Sequence, residues 1–192
     1  MLKVAITGNI ASGKSSVEQI LREKSYKVLD TDIVAHNLLE DPYVKAQIED
    51  AFKDYDILEN EKISRPKLAK LVFEDEFLRK ELEEILHPLI KDEIIRFFDC
   101  NQNEKITFVS VPLLFEAGFE SVFDKVILVY AKDEIRLQRL INRNDLTQEN
   151  AQNRINIQIS QEKKLPLADY VIYNEESISD LNKKVEHIFK LL

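Results

Sequence analysis

Residues 8–15 read GNIASGKS, a pattern that can bind a chain of phosphate groups. The chain has only 3 glycines in 192 residues, and two of them, Gly8 and Gly13, stand in this stretch. They let the backbone turn so that the amides of residues 11–15 converge where the positive end of a helix dipole lies. Lys14 can then reach the β- and γ-phosphates of a nucleotide, and the Ser15 hydroxyl can ligate Mg²⁺. We therefore predict a nucleoside triphosphate site whose contacting residues are Gly8, Ala11, Ser12, Gly13, Lys14, Ser15 and Ser16.

The segments around this loop have the periodicity that such a site needs. Residues 2–7 form a short apolar run with β-branched members, which indicates a strand buried on both faces. Residues 14–24 place Val17, Ile20 and Leu21 at spacings of three and four, which predicts an amphipathic helix. The unit is thus strand, glycine loop and helix, the context in which GxxxxGK(S/T) binds phosphate.

Four further apolar runs predict more buried strands, over residues 26–32, 106–115, 124–131 and 168–174. Helical patterns separate them, and alternating strands and helices imply right-handed crossovers and a parallel sheet. We expect an α/β, P-loop kinase-like three-layer fold with a five-stranded parallel sheet. The last helix should begin near Ser177 and bury a stripe formed by Leu181, Val185, Ile188 and Phe189.

Two stretches are longer than simple crossovers require. Residues 33–100 are rich in helix formers, with a helix start at Ser64 and Pro66 and a kink or restart at Pro88. Residues 133–165 are polar and helical, as expected for a mobile lid. We therefore expect one kinase chain over residues 1–192. Its core would be residues 1–32, 101–132 and 166–192, with a helical insertion at 33–100 and the lid at 133–165.

Composition excludes several classes of protein. A formal net charge of −8 disfavours nucleic acid as a partner, although a small polyanion can still bind in a cleft. No apolar run is long enough to cross a membrane, so we expect a cytoplasmic protein without membrane contacts. The single cysteine, Cys100, excludes an internal disulfide.

The presence or absence of other motifs distinguishes among the classes of P-loop protein. No aspartate stands three residues before a glycine, and NKxD is absent, so the switch and base-reading motifs of a GTPase cannot be written. The glycine-rich signature of a transport ATPase is absent as well. A compact small-molecule kinase remains.

Such a kinase needs a group beside the acceptor hydroxyl. VLDTD at residues 28–32 supplies Asp30 and Asp32, which would share one side at the carboxyl end of a strand, where ligands bind in open parallel sheets. Either carboxylate could accept the hydroxyl proton or orient a magnesium-bound water, mainly by alignment because a carboxylate is a weak base toward an alcohol. Both could instead cap a turn before a helix.

Arginines can neutralise the charge that builds on a transferring phosphoryl group. Arg139 and Arg143 are the candidates, Arg154 is a weaker one, and Arg136 fits a solvated helix face better. Lys163 and Lys164 are also expected on a solvated face.

The chain resembles the dephospho-CoA kinase family along its whole length. The segments that carry the resemblance are ITGNIASGKS, VLDTD, SRPKLAKLVF, LEEILHP, VPLLFEAG, LQRLINR, RINIQ with Gln158, and ADYVIYN. Only the first is specific alone, and their order and spacing are specific together. The resemblance implies transfer of the ATP γ-phosphoryl group to the ribose 3′-hydroxyl of dephospho-CoA, the last step of coenzyme A synthesis. ATP, Mg²⁺ and dephospho-CoA are the implied small molecules.

The family's functional residues correspond to particular positions of this chain. By resemblance, Asp32 matches the catalytic base, and Lys14 with Ser15 match the phosphate and magnesium contacts. Arg143 corresponds to the lid arginine near the phosphates. Arg65 and His87 would bind the coenzyme A substrate, and Asn174 would lie near adenine. His87 could equally fix a helix junction before Pro88, and whether Asp30 or Glu116 helps to hold the metal stays open.

Two positions depart from the family's glycine-rich loop. Asn9 and Ala11 stand where glycine is frequent; Asn tolerates a left-handed conformation, whereas Ala11 is acceptable only if its φ is negative. Two other readings compete with the reading implied by the resemblance: another small-molecule kinase, such as a nucleoside monophosphate kinase, and a nucleotide-binding protein that transfers no phosphate.

Overall fold

The computed structural model describes residues 1–144 and 146–192 and divides them into two compact units. Unit 1 comprises Met1–Asp30 and Phe98–Leu192, and unit 2 comprises Thr31–Phe97. The glycine loop at residues 8–15 belongs to unit 1.

Unit 1 is built on a five-stranded parallel sheet, as predicted. Its strands in sheet order are β2 (Lys27–Asp30), β5 (Ile106–Ser110), β1 (Leu2–Thr7), β6 (Lys125–Tyr130) and β7 (Tyr170–Tyr173). The central strand β1 pairs Ala5 with Val109 of β5 and with Val126 of β6. Residues 4–7 of β1 are all buried, which is why this strand reads as an unbroken apolar run.

Helices flank the sheet. Those of unit 1 are α1 (Lys14–Glu23), α6 (Asp133–Asn144), α7 (Gln148–Asn156), α8 (Gln161–Lys164) and α9 (Ile178–Phe189). Short 3₁₀ turns cover Glu120–Val122 and Leu165–Leu167. The apolar stripes of α1 and α9 meet the sheet in one buried cluster that includes Leu21, Phe108 and Val185. Helix α9 begins after Ser177, whose hydroxyl accepts from the Asp180 amide, as predicted from the capping pattern.

Unit 2 contains α2 (Thr31–Leu38), α3 (Pro42–Ala51), α4 (Arg65–Glu74) and most of α5 (Glu76–Cys100). It also holds an unpredicted two-stranded hairpin of β3 (Leu58–Glu59) and β4 (Lys62–Ile63). Its turn, Asn60–Glu61, has positive φ at both residues, the pattern of a two-residue hairpin. Helix α4 starts after Ser64 as predicted, whereas α5 runs through Pro88 without the restart that we allowed for.

Two strands end at least two residues before the position that their sequence patterns predicted, and β6 and β7 are shorter than predicted at both ends. Strand β2 ends at Asp30 rather than residue 32, because Thr31 already begins α2 and places Asp32 in that helix's first turn, where its charge suits the helix dipole. Strand β5 ends at Ser110 rather than residue 115, because Pro112 lacks the amide that a central strand needs. Within residues 1–144 and 146–192, no helix is both long and apolar enough to span a membrane.

Candidate nucleotide site

The loop between β1 and α1 uses its two glycines for different reasons. Gly13 has a φ of 95°, in the left-handed region, and a Cβ there would lie 1.9 Å from Asn174 Nδ2. Gly8 is needed for space instead, since a Cβ would lie 2.7 Å from the Val129 carbonyl oxygen. Ala11 has a φ of 62°, so our condition that its φ be negative is not met, and Asn9 makes no use of the left-handed region.

The loop carbonyls of Ile10, Ala11 and Ser12 all accept hydrogen bonds from side chains outside the loop. In a trans peptide, the carbonyl and the following amide point in opposite directions. The amides of Ala11 and Gly13 are therefore turned away from these side chains. Among the described residues, no hydrogen bond uses the amides of Ala11, Gly13, Lys14 or Ser15. Free amides at the start of a helix are groups that can bind an anion, so this arrangement could serve as the anion cradle that the sequence predicts.

Arg139 and Asn174, both predicted to bind ATP, contact the loop backbone. Arg139 Nη1 donates to the carbonyls of Ala11 and Ser12, both at 3.3 Å, and its Nη2 donates to the Asn174 carbonyl at 3.0 Å. Asn174 Nδ2 donates to the Ser12 carbonyl at 2.8 Å. Both side chains therefore stabilise the loop conformation through hydrogen bonds to its carbonyls. A contact with ATP, which the sequence predicts for both, would be a second role.

Three further side chains join the loop to residues 133–165. Arg136 Nε donates to the Ile10 carbonyl at 2.9 Å, and Gln158 Oε1 accepts from the Ile10 amide at 2.7 Å. Asn9 Nδ2 donates to the Ile159 carbonyl at 2.8 Å. Arg136 is 1% exposed and also pairs with Asp133, so our prediction that it lies on a solvated face is wrong. Its hydrogen bond to Ile10 joins residues that are far apart in sequence, so the periodicity of the helix could not indicate that Arg136 is buried.

Lys14 lies in a charged cluster at the carboxyl end of β5. Its Nζ donates to Glu18 Oε1 at 2.9 Å and to Ser110 Oγ, while Ser110 Oγ donates to the same Glu18 oxygen at 2.6 Å. Arg22 Nη1 lies 3.3 Å from Glu18 Oε2. Burial alone raises the pKa of Glu18, but the Lys14 charge and the hydrogen bonds from Ser110, Lys14 and Arg22 outweigh it and hold this pKa below its usual value.

Lys164, like Arg136, is a basic residue that the sequence prediction misplaced. It is fully buried, and its Nζ lies 2.7 Å from Glu116 Oε1, an ion pair not aligned for a hydrogen bond. The pair joins α8 to the turn after β5. The Glu116 carboxylate therefore already forms an ion pair with the Lys164 ammonium group. The predicted solvated face for Lys164 is wrong, while Lys163 is exposed.

The remaining predicted residues lie in several elements. Asp30 ends β2 in unit 1, and Asp32 is an exposed residue of α2 in unit 2, so the two carboxylates do not share one side of a strand. Arg143 is exposed in the last turn of α6. The others are Arg65, exposed at the first position of α4, His87, half-buried within α5, Arg154, exposed in α7, Ser15, exposed, and Ser16, half-buried in α1.

Glu18 and Ser110 are residues near the loop that sequence reasoning missed, and Glu18 is the one with a local signal. It is 3% exposed although glutamate is rarely buried without a partner. Its spacing of four residues after Lys14 was the available signal, since such pairs are neighbours on a helix surface.

A five-stranded parallel sheet whose first strand enters a GxxxxGKS loop and a helix defines a P-loop kinase-like protein. Consistent with that fold, shikimate kinase from Bacteroides thetaiotaomicron superposes with a TM-score of 0.58 at 15% identity, covering 99% of this chain and 97% of its own.

Closer relatives identify the family. A family model described as dephospho-CoA kinase matches residues 2–180. Dephospho-CoA kinase of Helicobacter pylori (strain ATCC 700392 / 26695) is 38% identical over 98% of this chain and 96% of its own length. Dephospho-CoA kinase from Campylobacter jejuni superposes with a TM-score of 0.72 at 31% identity, covering 98% of this chain and 95% of its own. The chain belongs to the dephospho-CoA kinase family, which confirms the resemblance drawn from its motifs.

Proposed function

We propose that this protein transfers the γ-phosphoryl group of ATP to the ribose 3′-hydroxyl of dephospho-CoA, giving CoA and ADP. The observation that carries the proposal is family membership over nearly the full chain. A nucleoside monophosphate kinase has no comparable support, since the match at this length is to dephospho-CoA kinases.

The triphosphate would bind at the loop. The free amides of Gly13, Lys14 and Ser15 and the N-terminus of α1 favour negative charge there, and the Lys14 ammonium adds a full positive charge. Arg143, in the last turn of α6, would neutralise charge on the transferring phosphoryl oxygens. Arg139 would serve mainly by fixing the loop.

Mg²⁺ fits this donor set. The exposed Ser15 hydroxyl follows Lys14 directly at the start of α1, and Mg²⁺ accepts one protein oxygen when phosphates and water complete its shell. When bound, the ion would neutralise charge on the β- and γ-phosphates.

Asp32 would align the acceptor hydroxyl and take its proton. It is the second residue of α2, two residues after β2 ends, and its side chain is exposed. Because phosphoryl transfer proceeds through a loose transition state, the Asp32 carboxylate need not be a strong base. Its position therefore matters more than its proton affinity. Arg65 and His87 in unit 2 are proposed to bind dephospho-CoA, and we expect the reaction to occur in the cytoplasm.

The test is ADP release from magnesium-ATP with and without dephospho-CoA, for the parent, Asp32→Asn and the exposed control Asp54→Asn. We expect acceptor-dependent turnover that falls about 100-fold or more in Asp32→Asn, the usual contribution of a positioned proton acceptor. ATP binding should persist in all three proteins. Parent turnover that ignores dephospho-CoA, or that responds to nucleoside monophosphates instead, would reject the proposal.

A further inference from the structure

The carboxylate of Glu18 lies one helical turn after Lys14 and has no role in the proposed phosphoryl transfer. Glu18 is 3% exposed, and its Oε1 accepts hydrogen bonds from both Lys14 Nζ and Ser110 Oγ. We infer that Glu18, together with Ser110, is a positioning residue that fixes the Lys14 ammonium for the nucleotide phosphates, an inference that rests on the proposed phosphoryl transfer.

Counting donors shows how the ammonium is fixed. A lysine ammonium has three N–H donors and no acceptor. In this structure one points to Glu18 Oε1 at 2.9 Å and one to Ser110 Oγ, which leaves a single donor with a fixed direction. The Lys14 side chain is only 12% exposed. Its rotamer freedom is therefore lost on folding, so a phosphate need not order it during binding.

Ser110 fixes the direction of the hydrogen bonds between Lys14 and Glu18. Its hydroxyl accepts from Lys14 and donates to Glu18, so all three groups close a small ring of hydrogen bonds. Ser110 is the last residue of β5, the strand that pairs with β1 before the loop. The ring thus ties the ammonium to the sheet as well as to α1.

Arg22 keeps the carboxylate compensated from the other side. Its Nη1 is 3.3 Å from Oε2, the oxygen that Lys14 does not use. With one carboxylate and two cations, the cluster carries a net charge of +1 beside the free loop amides. Glu18 can therefore hold Lys14 without cancelling the positive charge offered to a polyphosphate.

The opposite role would be competition, in which Glu18 withholds Lys14 from the nucleotide. The two roles predict opposite signs for the same substitution. Removing the carboxylate charge weakens nucleotide binding if Glu18 positions Lys14, and it strengthens binding if Glu18 competes.

The experiment measures the dissociation constant of a magnesium complex of a non-hydrolysable ATP analogue for the parent, Glu18→Gln and Glu23→Gln. Glu23 is the matched control, because it lies on the same helix, is exposed and bonds only Gln19 among the contacts of the described residues. We expect about ten-fold weaker binding for Glu18→Gln, as for the loss of one charge-assisted hydrogen bond, and no change for Glu23→Gln. In turnover, KM for ATP should rise while KM for dephospho-CoA stays constant. Equal or tighter analogue binding by Glu18→Gln overturns the inference.

A second variant separates positioning from a general loss of structure. Because Ser110 Oγ already contacts Lys14 Nζ, Glu18→Gln combined with Ser110→Asp returns a carboxylate to the same ammonium from the strand side. Analogue binding should recover to within about three-fold of the parent, since the charge-assisted contact is restored. A double variant that folds but binds no better than Glu18→Gln alone counts against the inference.

The parent protein supplies a readout that needs no variant to fold. The Lys14 ¹⁵Nζ resonance of the free protein should be observable as a slowly exchanging ammonium signal. A rapidly exchanging ammonium in the free parent overturns the inference. Since these measurements need no acceptor, a parent that binds the analogue but leaves dephospho-CoA unphosphorylated would reject the proposed function alone.

Discussion

Replacing Gly13 by alanine should destabilise the protein through two separate effects. The first is backbone strain, because the φ of 95° would place an L side chain in the left-handed region at a cost of about 1–2 kcal/mol. The second is a collision, because the new Cβ would lie 1.9 Å from Asn174 Nδ2. Asn174 is 7% exposed and must give up its bond to the Ser12 carbonyl, which costs about 1–3 kcal/mol for buried polar groups.

The reduced entropy of the unfolded alanine chain offsets about 0.4–1 kcal/mol of this loss. We therefore expect Gly13→Ala to lower the free energy of unfolding by about 3 kcal/mol, or the melting temperature by about 6–12 °C in a chain of this length. Thermal and urea unfolding would measure both quantities.

Gly118→Ala is the matched control. Gly118 also has a positive φ, of 66°, but a Cβ there meets no heavy atom within 4 Å. It should show the strain alone, about 1 kcal/mol. In an Asn174→Ala background the collision is removed, so Gly13→Ala should then cost about as little as Gly118→Ala. Equal losses for both glycines in the parent, or additive losses for Gly13→Ala and Asn174→Ala, would show that no collision with Asn174 contributes to the loss.

Two further outcomes follow from ion pairs of unit 1. Lys164→Met should lower the unfolding free energy by about 3 kcal/mol, because it leaves Glu116 without its cation. Adding Glu116→Met should recover most of that loss, and urea unfolding of the single and double variants measures both effects. A double variant that is no more stable than Lys164→Met alone would contradict this expectation. Burial raises the pKa of Asp169, but hydrogen bonds from Lys125 Nζ and the Val126 amide outweigh it and leave this pKa lowered. A lowered carboxylate pKa stabilises the fold above the unfolded-state pKa and ceases to do so as the pH falls through the folded-state value. The stability advantage of the parent over Asp169→Asn should therefore be largest near neutral pH and shrink below about pH 4, and a constant difference in melting temperature across that range would contradict it.

The sheet was predictable from sequence because its inner strands are buried on both faces. Runs such as KVAIT and KVILVY carry that burial in their composition, so all five strands were found. The end of β2 was misplaced because Thr31, Ile33 and Val34 after Asp30 are β-branched, so local propensity did not mark where α2 begins. The β3–β4 hairpin was missed because two-residue strands carry no period.

The site was predictable only where its contacts are local. The loop motif and its helix lie within 16 consecutive positions, so this structural unit could be predicted directly from the sequence. Arg136 and Lys164 were placed in solvent because their partners, Ile10 and Glu116, are far away in sequence. A charged side chain on a polar helix looks solvated until the fold supplies the carbonyl or carboxylate that pairs with it.

Ala11 shows why a phosphate loop can form with few glycines. A non-glycine residue in the left-handed region costs about 1–2 kcal/mol, a cost that glycine would avoid. Against it stand the hydrogen bonds that Arg136, Arg139 and Asn174 donate to loop carbonyls and the one that Gln158 accepts from a loop amide, each worth about 1 kcal/mol net. Together these bonds exceed the strain, so the loop conformation is set by side chains from α6, the segment after α7 and the residue after β7. Rigidity imposed from outside the loop also holds its backbone amides in place before an anion binds, whereas a more flexible glycine-rich loop must order them when the phosphate binds.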